Sequence, residues 1–337
     1  MRLARLHGVG DLRIEEAGVP EVQPGHTLVR VTDVGLCGSD LHWFAEGGIG
    51  DAQLTRPIVP GHEFAGVGAS GDLDGVRVAV DPAIPCMNCA MCHEGHPNLC
   101  PTVGFAGHGR IDGGLAEFIS WPTNRLFPLP ESFTGADGAV LEPLGVALHA
   151  WDLAHVPLAA NVVIVGAGPI GLLLVQLARS AGADRVAVVE PREHRRDAAL
   201  RYGADEVFAP DEVREAGAWQ GWGAGGLGAD VTFEIAGNDD AIAIAMTSAR
   251  PGARVVLGGI PDDDSSSFRA GTARRKGLTL VMVRRMKEMY PRAIRLVERG
   301  LVDVRSLVTE RAPLADAPGA FARATERTGL KVVIGLD

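Results

Sequence analysis

The sequence lacks the features that mark membrane-spanning, secreted and nucleic-acid-binding proteins. Among its 337 residues, no stretch reaches the roughly 18 consecutive apolar residues that a spanning helix needs. The N-terminal segment, residues 1–16, contains no apolar core of signal-peptide length. An excess of basic residues is also missing, because the formal net charge is -10, which argues against a general binder of nucleic acid or acidic membranes. We therefore expect a soluble cytoplasmic protein with reduced thiols.

Cysteine is scarce, and its distribution is uneven. Four of the five cysteines follow the spacing C-x2-C-x2-C-x7-C, as Cys86, Cys89, Cys92 and Cys100. In the cytoplasm such a cluster indicates a metal site rather than disulfides. Four thiolates can surround one Zn²⁺ ion tetrahedrally and leave no open position, so we predict a structural zinc site in a lobe at 86–100. An iron–sulfur cluster is the competing interpretation, but the long last gap differs from its usual signature.

Internal repeats and low-complexity tracts are also absent, and the chain divides into two kinds of pattern. Residues 1–145 show short β-branched runs between glycine and proline, which predicts a β-rich, irregular region. Beyond residue 160, continuous apolar runs such as "NVVIVG" and "RVAVVE" alternate with helical segments, which predicts βαβ units and a parallel sheet. We expect an α/β protein with a doubly wound domain at 147–283, inserted into a β-rich domain at 1–146 and 284–337.

The segment "GAGPIG" carries three glycines, Gly166, Gly168 and Gly171, with Pro169 and Ile170 between the last two. It follows a predicted buried strand and opens a predicted helix, which is the context of a dinucleotide-binding fingerprint. The helix N-terminus would offer N–H groups and partial positive charge to the pyrophosphate. A glycine-rich turn in a non-binding α/β domain is the alternative interpretation.

The acidic residue Glu190 ends the next predicted strand, nineteen residues after Gly171. Its carboxylate can accept hydrogen bonds from both adenine-ribose hydroxyls and would repel a 2′-phosphate, which favours NAD over NADP. Arg192, Arg195 and Arg196 follow closely, and a guanidinium there could pair with a 2′-phosphate. NADP therefore stays the less favoured alternative.

A second candidate metal site combines Cys37, His62 and Glu63, with Glu142 further along the chain. A catalytic zinc takes about three protein ligands of mixed type and keeps one open position. The spacing alone also allows an ordinary buried cysteine and a chance "GHE" sequence. Both interpretations remain open at this point.

Taken together, these motifs resemble the zinc-dependent medium-chain dehydrogenase/reductase family, and the resemblance runs along nearly the whole chain. The segments "CGSDLHWFAEGGIGDAQLTRPIVPGHEFAG", "LEPLGVALHA", "GAGPIGLLLVQLA" and "RRMKEMYPRAIRLV" look most like its sorbitol (L-iditol) and polyol dehydrogenase branch. The resemblance implies a GroES-like catalytic domain and a Rossmann NAD-binding domain. It also implies a catalytic zinc on Cys37 and His62, with Glu63 or Glu142 in the remaining place.

The same resemblance implies roles for residues around the second metal site. Ser39 would contact the substrate alcohol, His42 would pass the proton onward through the cofactor ribose, and Asp40 would orient the His62 imidazole. The substrate pocket would include Trp43, Phe105, the segment 107–114, Arg284 and Arg285. Trp43 stands where close polyol dehydrogenases often carry tyrosine, which leaves the exact substrate open.

The resemblance therefore implies an enzyme that oxidises a secondary alcohol of a polyol, sugar or cyclitol to a ketone with NAD. It would bind two zinc ions per chain, one catalytic and one structural, and a small-molecule substrate. By analogy we expect a homo-dimer or homo-tetramer, in which the strand at 253–260 could pair across a two-fold axis if it forms a sheet edge. The alternatives are a threonine-type amino-alcohol dehydrogenase and a non-catalytic nucleotide-binding relative.

Overall fold

The chain forms two compact units in a computed structural model that describes residues 1–50, 52–214, 217–219, 221–261 and 264–336. The first unit comprises Met1–Gly145, Lys287–Glu298 and Asp303–Asp337, and the second comprises Val146–Met286 and Arg299–Val302. The predicted parallel-sheet domain, 147–283, lies within the second unit. That unit also takes in residues 284–286, which the sequence prediction places in the other domain.

The first part of the chain is rich in short strands. Its elements are β1 (Arg2–Gly8), β2 (Asp11–Glu16), β3 (His26–Gly35), α1 (Gly38–Glu46), β4 (Gly48–Ile49), β5 (Ala52–Gln53), β6 (Glu63–Gly68), β7 (Arg77–Val80), β8 (Ala83–Ile84), α2 (Ala90–His93), β9 (Gly104–Phe105), β10 (Phe118–Pro122), β11 (Leu126–Pro128), α3 (Gly135–Ala139) and α4 (Leu141–Ala154). Glycine and proline separate these strands, so loops make up much of this region.

Strands and helices alternate in the second unit. Its elements are β12 (Asn161–Val165), α5 (Pro169–Ser180), β13 (Arg185–Val189), α6 (Glu193–Arg201), β14 (Glu206–Phe208), β15 (Ala229–Glu234), α7 (Asp239–Ser248), β16 (Ala249–Leu257), α8 (Ala270–Lys276) and β17 (Thr279–Met282). The chain then returns to the first unit with α9 (Tyr290–Glu298), β18 (Val308–Pro313), α10 (Ala317–Thr325) and β19 (Lys331–Gly335). In the part of the chain that the structure describes, no helix is long and apolar enough to cross a membrane.

The main sheet of the first unit has the order β11-β7-β6-β3-β19-β18, and β10 also pairs with β3. Along β3, Val29 and Val31 are buried whereas Arg30 between them is exposed, because alternate side chains point to opposite faces of a strand. The buried face packs into one core with residues such as Phe64 and Trp121. Strand β19 comes from the C-terminal end of the chain and lies directly beside β3.

The second unit contains a six-stranded parallel sheet with the order β14-β13-β12-β15-β16-β17. After their first residues, β12 and β13 are buried throughout, as expected for strands covered on both faces. The sheet is doubly wound and its order reverses between β12 and β15. This arrangement confirms the predicted fold class. The strand predicted at 253–260 and considered above as a sheet edge coincides with β16 as far as Leu257, and β16 is interior because β15 and β17 flank it.

Candidate active site

The four clustered cysteines of the first unit come together in space. Their sulfur atoms all lie within 4.8 Å of one another, and all five cysteines of the chain are free. Cys89 precedes α2, Cys92 lies within it, and the Sγ atoms of these two residues are 3.5 Å apart. The backbone N–H of Cys86 donates to Cys100 Sγ at 3.4 Å. The lobe therefore presents four sulfur donors to one point.

Backbone hydrogen bonds prepare part of this lobe for a cation. The N–H of Cys86, with further hydrogen bonds from Thr102, lowers the pKa of the Cys100 thiol to about 6. Burial raises the pKa of Cys92 to about 11. Four sulfur ligands with one thiol already inclined to ionise match the donor set of a closed, four-coordinate zinc site. His93 and His96 lie outside this group.

The second candidate metal site brings together Cys37, His62 and Glu63, whose ligand atoms also lie within 4.8 Å of one another. The sheet register explains their proximity. Strands β3 and β6 are antiparallel neighbours, and Gly35 at the end of β3 pairs with Glu63 at the start of β6. Cys37 follows at the N-terminus of α1. His62 is 4% exposed, Glu63 is 1% exposed and Cys37 is half-buried, so the cluster combines two buried donors, nitrogen and oxygen, with a partly accessible sulfur.

Asp40 contacts two members of this cluster, His62 and Cys37. Its Oδ1 lies 3.4 Å from His62 Nδ1, and its Oδ2 accepts from the backbone N–H of Cys37 at 3.0 Å. Burial by itself would raise the pKa of Asp40, but the neighbouring His62 lowers it below its ordinary value. Asp40 lies next to Nδ1 of the His62 ring. The other ring nitrogen, Nε2, therefore points away from Asp40 and lies 3.5 Å from Ser39 Oγ.

A buried lysine completes the surroundings of Glu63. Lys331, the first residue of β19, forms an ion pair with Glu63 Oε2 and donates to the backbone oxygen of Leu36 at 2.9 Å. A Cβ atom on Gly35 would overlap Glu63 Oε2 and lie 3.1 Å from Lys331 Cε. Glycine at this position therefore leaves room for the pair. Sequence reasoning missed Lys331, although a lysine beginning the apolar run "KVVIGL" is an unusual signal.

Glu142 is buried in the first turn of α4. In the described residues, the metal-ligand cluster of Cys37, His62 and Glu63 does not extend to it. Burial raises the pKa of Glu142 to about 7, and the charge of Glu63 acts in the same direction. The structure thus brings Glu63, and not Glu142, into the cluster.

Aromatic rings lie beside the second cluster. The ring centroid of Phe105 is 5.4 Å from that of His62, and the ring of His108 is 5.5 Å from His62 and 5.7 Å from Trp43. Ala106 O lies 3.2 Å from His108 Nδ1. The rings of the predicted pocket residues Trp43 and Phe105 both pack against the ring of His108, next to His62. The sequence placed His108 only within the segment 107–114.

One face of α1 connects the cluster with the surface. Ser39 and His42 are three residues apart and Glu46 is four further on, so all three share a face of the helix. Ser39 is 7% exposed, whereas the side chains of His42 and Glu46 are 13% and 49% exposed. The Nδ1 atom of His42 lies 3.1 Å from Glu46 Oε1. Polar groups therefore follow one another from the buried cluster outward.

The glycine-rich turn of the second unit has the conformation that its sequence predicts. Gly166 adopts a φ of +104°, and a Cβ on Gly171 would overlap Gly166 O. Gly168 precedes α5, and Pro169 and Ile170 open the helix. The turn needs glycine both for its backbone angle and for the close packing of helix on strand. The turn places the N-terminus of α5, whose middle is apolar and buried, directly after the end of β12.

Glu190 lies directly beside this turn. Its Oε2 accepts from the backbone N–H of Ala167 at 2.9 Å, and its Oε1 accepts from that of Arg192 at 3.0 Å. Arg196 donates to the backbone oxygens of Glu190 and Pro191. Arg195 is half-buried on α6. The structure thus places the acidic residue at the fingerprint, with Arg192 just before α6 and Arg195 and Arg196 on it.

Comparison with known proteins identifies the family to which a chain with these two sites and this glycine-rich turn belongs. Residues 23–131 match the alcohol dehydrogenase GroES-like domain, and residues 169–299 match the family described as zinc-binding dehydrogenase. The sorbitol dehydrogenase of Bacillus subtilis (strain 168) is 32% identical over 97% of this chain and 94% of its own length. The chain belongs to the zinc-binding, medium-chain dehydrogenase family. This confirms the resemblance drawn from the sequence.

Two further relatives of this dehydrogenase agree with the assignment. The sorbitol dehydrogenase of Bos taurus is 35% identical over 98% of this chain and 95% of its own length. The crystal structure of galactitol-1-phosphate dehydrogenase from Escherichia coli superimposes with a TM-score of 0.90 at 29% identity, covering 100% of both chains. The dehydrogenase is accordingly an oxidoreductase, as the sequence predicts.

Two predicted pocket residues of the dehydrogenase do not belong to the unit that contains Trp43 and Phe105. Arg284 and Arg285 follow β17 and belong to the second unit, whereas Trp43 and Phe105 belong to the first. Arg284 is exposed and Arg285 is half-buried, with a φ of +52°. Their part in the substrate pocket stays a prediction.

Proposed function

We propose that this dehydrogenase oxidises a secondary hydroxyl of a polyol, sugar or cyclitol to a ketone, with NAD as the hydride acceptor. The observation that carries the proposal is the Cys37–His62–Glu63 cluster, with the hydroxyl of Ser39 3.5 Å from His62 Nε2. A sulfur–nitrogen–oxygen donor set beside a proton-accepting hydroxyl suits alcohol oxidation. Relatives named as sorbitol and galactitol-1-phosphate dehydrogenases support polyol-like substrates.

Two zinc ions per chain fit the donor sets. Cys86, Cys89, Cys92 and Cys100 would hold the structural ion. Cys37, His62 and Glu63 would hold the catalytic ion, which leaves a fourth position open. Glu142 is the alternative carboxylate to Glu63. Bound zinc would polarise the substrate hydroxyl, and bound NAD would take up the hydride.

The residues around the cluster would orient the substrate and move its proton. Asp40 holds His62 through Nδ1 and keeps Nε2 directed toward Ser39. Ser39 accepts the proton of the substrate hydroxyl, and His42, on the same face of α1, passes it toward the surface. Trp43 and Phe105 form the apolar side of the pocket and limit access of water to the site.

Glu190 supports NAD over NADP. Its carboxylate is only 4% exposed and is held at the fingerprint by two backbone N–H groups. A negative charge fixed at this point would repel a 2′-phosphate and accept from ribose hydroxyls. A guanidinium among Arg192, Arg195 and Arg196 would act in the opposite direction, by pairing with a 2′-phosphate.

The amino-alcohol alternative of the threonine type is not favoured by the relatives, which are named for polyol substrates. We further propose a homo-dimer or homo-tetramer. Support comes from β17, a described edge of the parallel sheet, which exposes Met282. A small sugar-like substrate agrees with the relatives, whereas a cytoplasmic location and the absence of nucleic-acid binding stay predictions from the sequence.

A substrate panel tests the proposed function. The zinc content of the purified enzyme is first measured by elemental analysis. The enzyme is then mixed with NAD and with sorbitol, xylitol, a sugar, a cyclitol or threonine, and NADH absorbance is followed. We expect turnover with a polyol, sugar or cyclitol and little with threonine. Turnover confined to threonine would establish the amino-alcohol alternative. One zinc per chain and no turnover with any compound would contradict the proposal.

A further inference from the structure

The carboxylate of Glu234, at the end of β15, has no part in the chemistry described above. Its side chain is 1% exposed. Its Oε1 accepts from the backbone N–H groups of Ala236 at 2.7 Å and Gly237 at 2.6 Å. Burial raises the pKa of this carboxyl, whereas hydrogen bonds from Gly237, Ala236 and Gly259 favour the charged form. The buried carboxylate thus accepts hydrogen bonds from backbone N–H groups of two separate segments.

These segments are the turns that follow two neighbouring strands, residues 235–237 after β15 and 258–260 after β16. They are packed without spare room: a Cβ on Gly259 would overlap the backbone N of Gly237, and one on Gly237 would overlap Ile260 O. The backbone oxygen of Glu234 also accepts from Gly258 at 2.8 Å. Glu234 therefore ties both turns into one arrangement.

The position of these turns in the sheet indicates which part of a dinucleotide they would contact. A doubly wound sheet of this strand order consists of two mononucleotide-binding halves, and the ligand lies beyond the carboxyl ends of the strands. The fingerprint and Glu190 belong to the half formed by β12, β13 and β14, which takes the adenosine part. The turns tied by Glu234 end the first two strands of the other half, which takes the nicotinamide part.

We propose that Glu234 is a positioning residue for the nicotinamide half of the dinucleotide, acting through the backbone of 235–237 and 258–260. The inference rests on the proposed NAD-dependent function. It assigns to Glu234 a role distinct from that of Glu190, which faces the fingerprint turn. In the sequence, the only signal is an acid that ends the apolar strand in "VTFEIAG".

The test compares two ligands that share the adenosine half. NADH and ADP-ribose are titrated calorimetrically into the zinc-loaded enzyme and into its Glu234→Gln variant. ADP-ribose lacks the nicotinamide ring, so it reports the first half of the site. Glutamine keeps the size of glutamate but removes the charge and part of the acceptor capacity. We expect the Kd for NADH to rise about tenfold, and that for ADP-ribose to stay within about twofold.

Phe233→Leu is the matched control. Phe233 lies on the same strand, is fully buried and stacks on Trp151 at 5.9 Å. This variant destabilises the sheet without touching the carboxylate, and it should affect the two ligands equally.

The titrations of the wild-type enzyme and of Glu234→Gln decide between the interpretations. A selective loss of NADH affinity supports the inference. Equal weakening of both ligands, or loss of both through misfolding, would overturn it, because Glu234 would then serve only the fold. Unchanged NADH affinity would overturn it as well. If the wild-type enzyme bound neither ligand, the NAD-dependent function itself would be refuted, and the inference with it.

Discussion

Replacing Lys331 by methionine would remove the cation from the buried pair beside the proposed catalytic zinc site. Lys331 is 3% exposed and Glu63 is 1% exposed. Methionine keeps an unbranched apolar side chain but leaves the Glu63 carboxylate without its cation, and Leu36 O without its donor. Breaking a buried pair by removing one partner costs about 3–5 kcal/mol. We expect the free energy of unfolding of the first unit to fall by about that amount.

The pair is intact at neutral pH. Burial alone would lower the pKa of Lys331, but the charge of Glu63 raises it above its usual value. Because the folded-state pKa is the higher one, the stabilisation is fully present below the ordinary lysine pKa. The lysine's contribution is lost as the pH rises through the folded value. The effect of Lys331→Met should therefore be undiminished across the neutral range.

The assay is urea unfolding of enzyme freed of the catalytic zinc by a chelator, so that no metal charge stands beside Glu63. The enzyme is labelled with fluorotryptophan and followed by fluorine NMR. Trp121 reports the first unit and Trp222 reports the second. The transition of Trp121 should move and that of Trp222 should stay. The control is the double variant Lys331→Met with Glu63→Gln, which no longer buries an unpaired charge and should recover most of the loss. A single variant within about 1 kcal/mol of wild type would refute the reasoning, since a buried pair should cost more to break.

Three further changes test the sites and one ion pair, in which Asp137 is buried and Arg305 is exposed. Cys37→Ser should abolish turnover and reduce zinc from two ions per chain to one, while NADH binding measured by fluorescence persists. Gly166→Ala should weaken NADH binding, because a Cβ would lie 3.0 Å from the backbone N of Ala236 at a φ of +104°. Asp137→Asn should lower stability by about 1–2 kcal/mol, because Arg305 contacts both carboxylate oxygens, at 3.1 and 2.5 Å.

Each of these variants has a result that would contradict its rationale. Near-wild-type activity of Cys37→Ser would remove Cys37 from the metal site, and full NADH affinity of Gly166→Ala would remove the need for glycine there. For Asp137, burial acts to raise the pKa, but Arg305 and Thr134 lower it below the ordinary value. The stabilisation is therefore present above the ordinary aspartate pKa and is lost as the pH falls. A loss in Asp137→Asn that did not shrink in acid would contradict this origin.

The motifs with short spacing were predictable from the sequence. The four clustered cysteines and the glycine turn each lie within fifteen residues or fewer, so local geometry brings their atoms together. The fold class followed from the change in hydrophobic pattern near residue 160, because buried parallel strands and half-buried antiparallel strands have different periods. The family resemblance then directed attention to Cys37, His62 and Glu63.

Long-range contacts could not be read from the sequence. Spacing left Glu63 and Glu142 equivalent, and only the register of β3 with β6 brings Glu63 to Cys37. Lys331 reaches the site through the pairing of β19 with β3, which no local pattern encodes. Strand order is likewise a property of the whole sheet, so the interior position of β16 became visible only in the structure.

The insertion of β19 beside β3 has a consequence for the order of folding. Lys331 and Leu36 are 295 residues apart in the chain, so this strand pair closes a very long loop, and loop closure costs more entropy as the loop lengthens. The second unit takes up about half of that loop, as Val146–Met286 and Arg299–Val302. If this unit folds first, its compact form shortens the effective path between β3 and β19. The dinucleotide-binding unit would then act as an internal template that lowers the entropic barrier to completing the metal site.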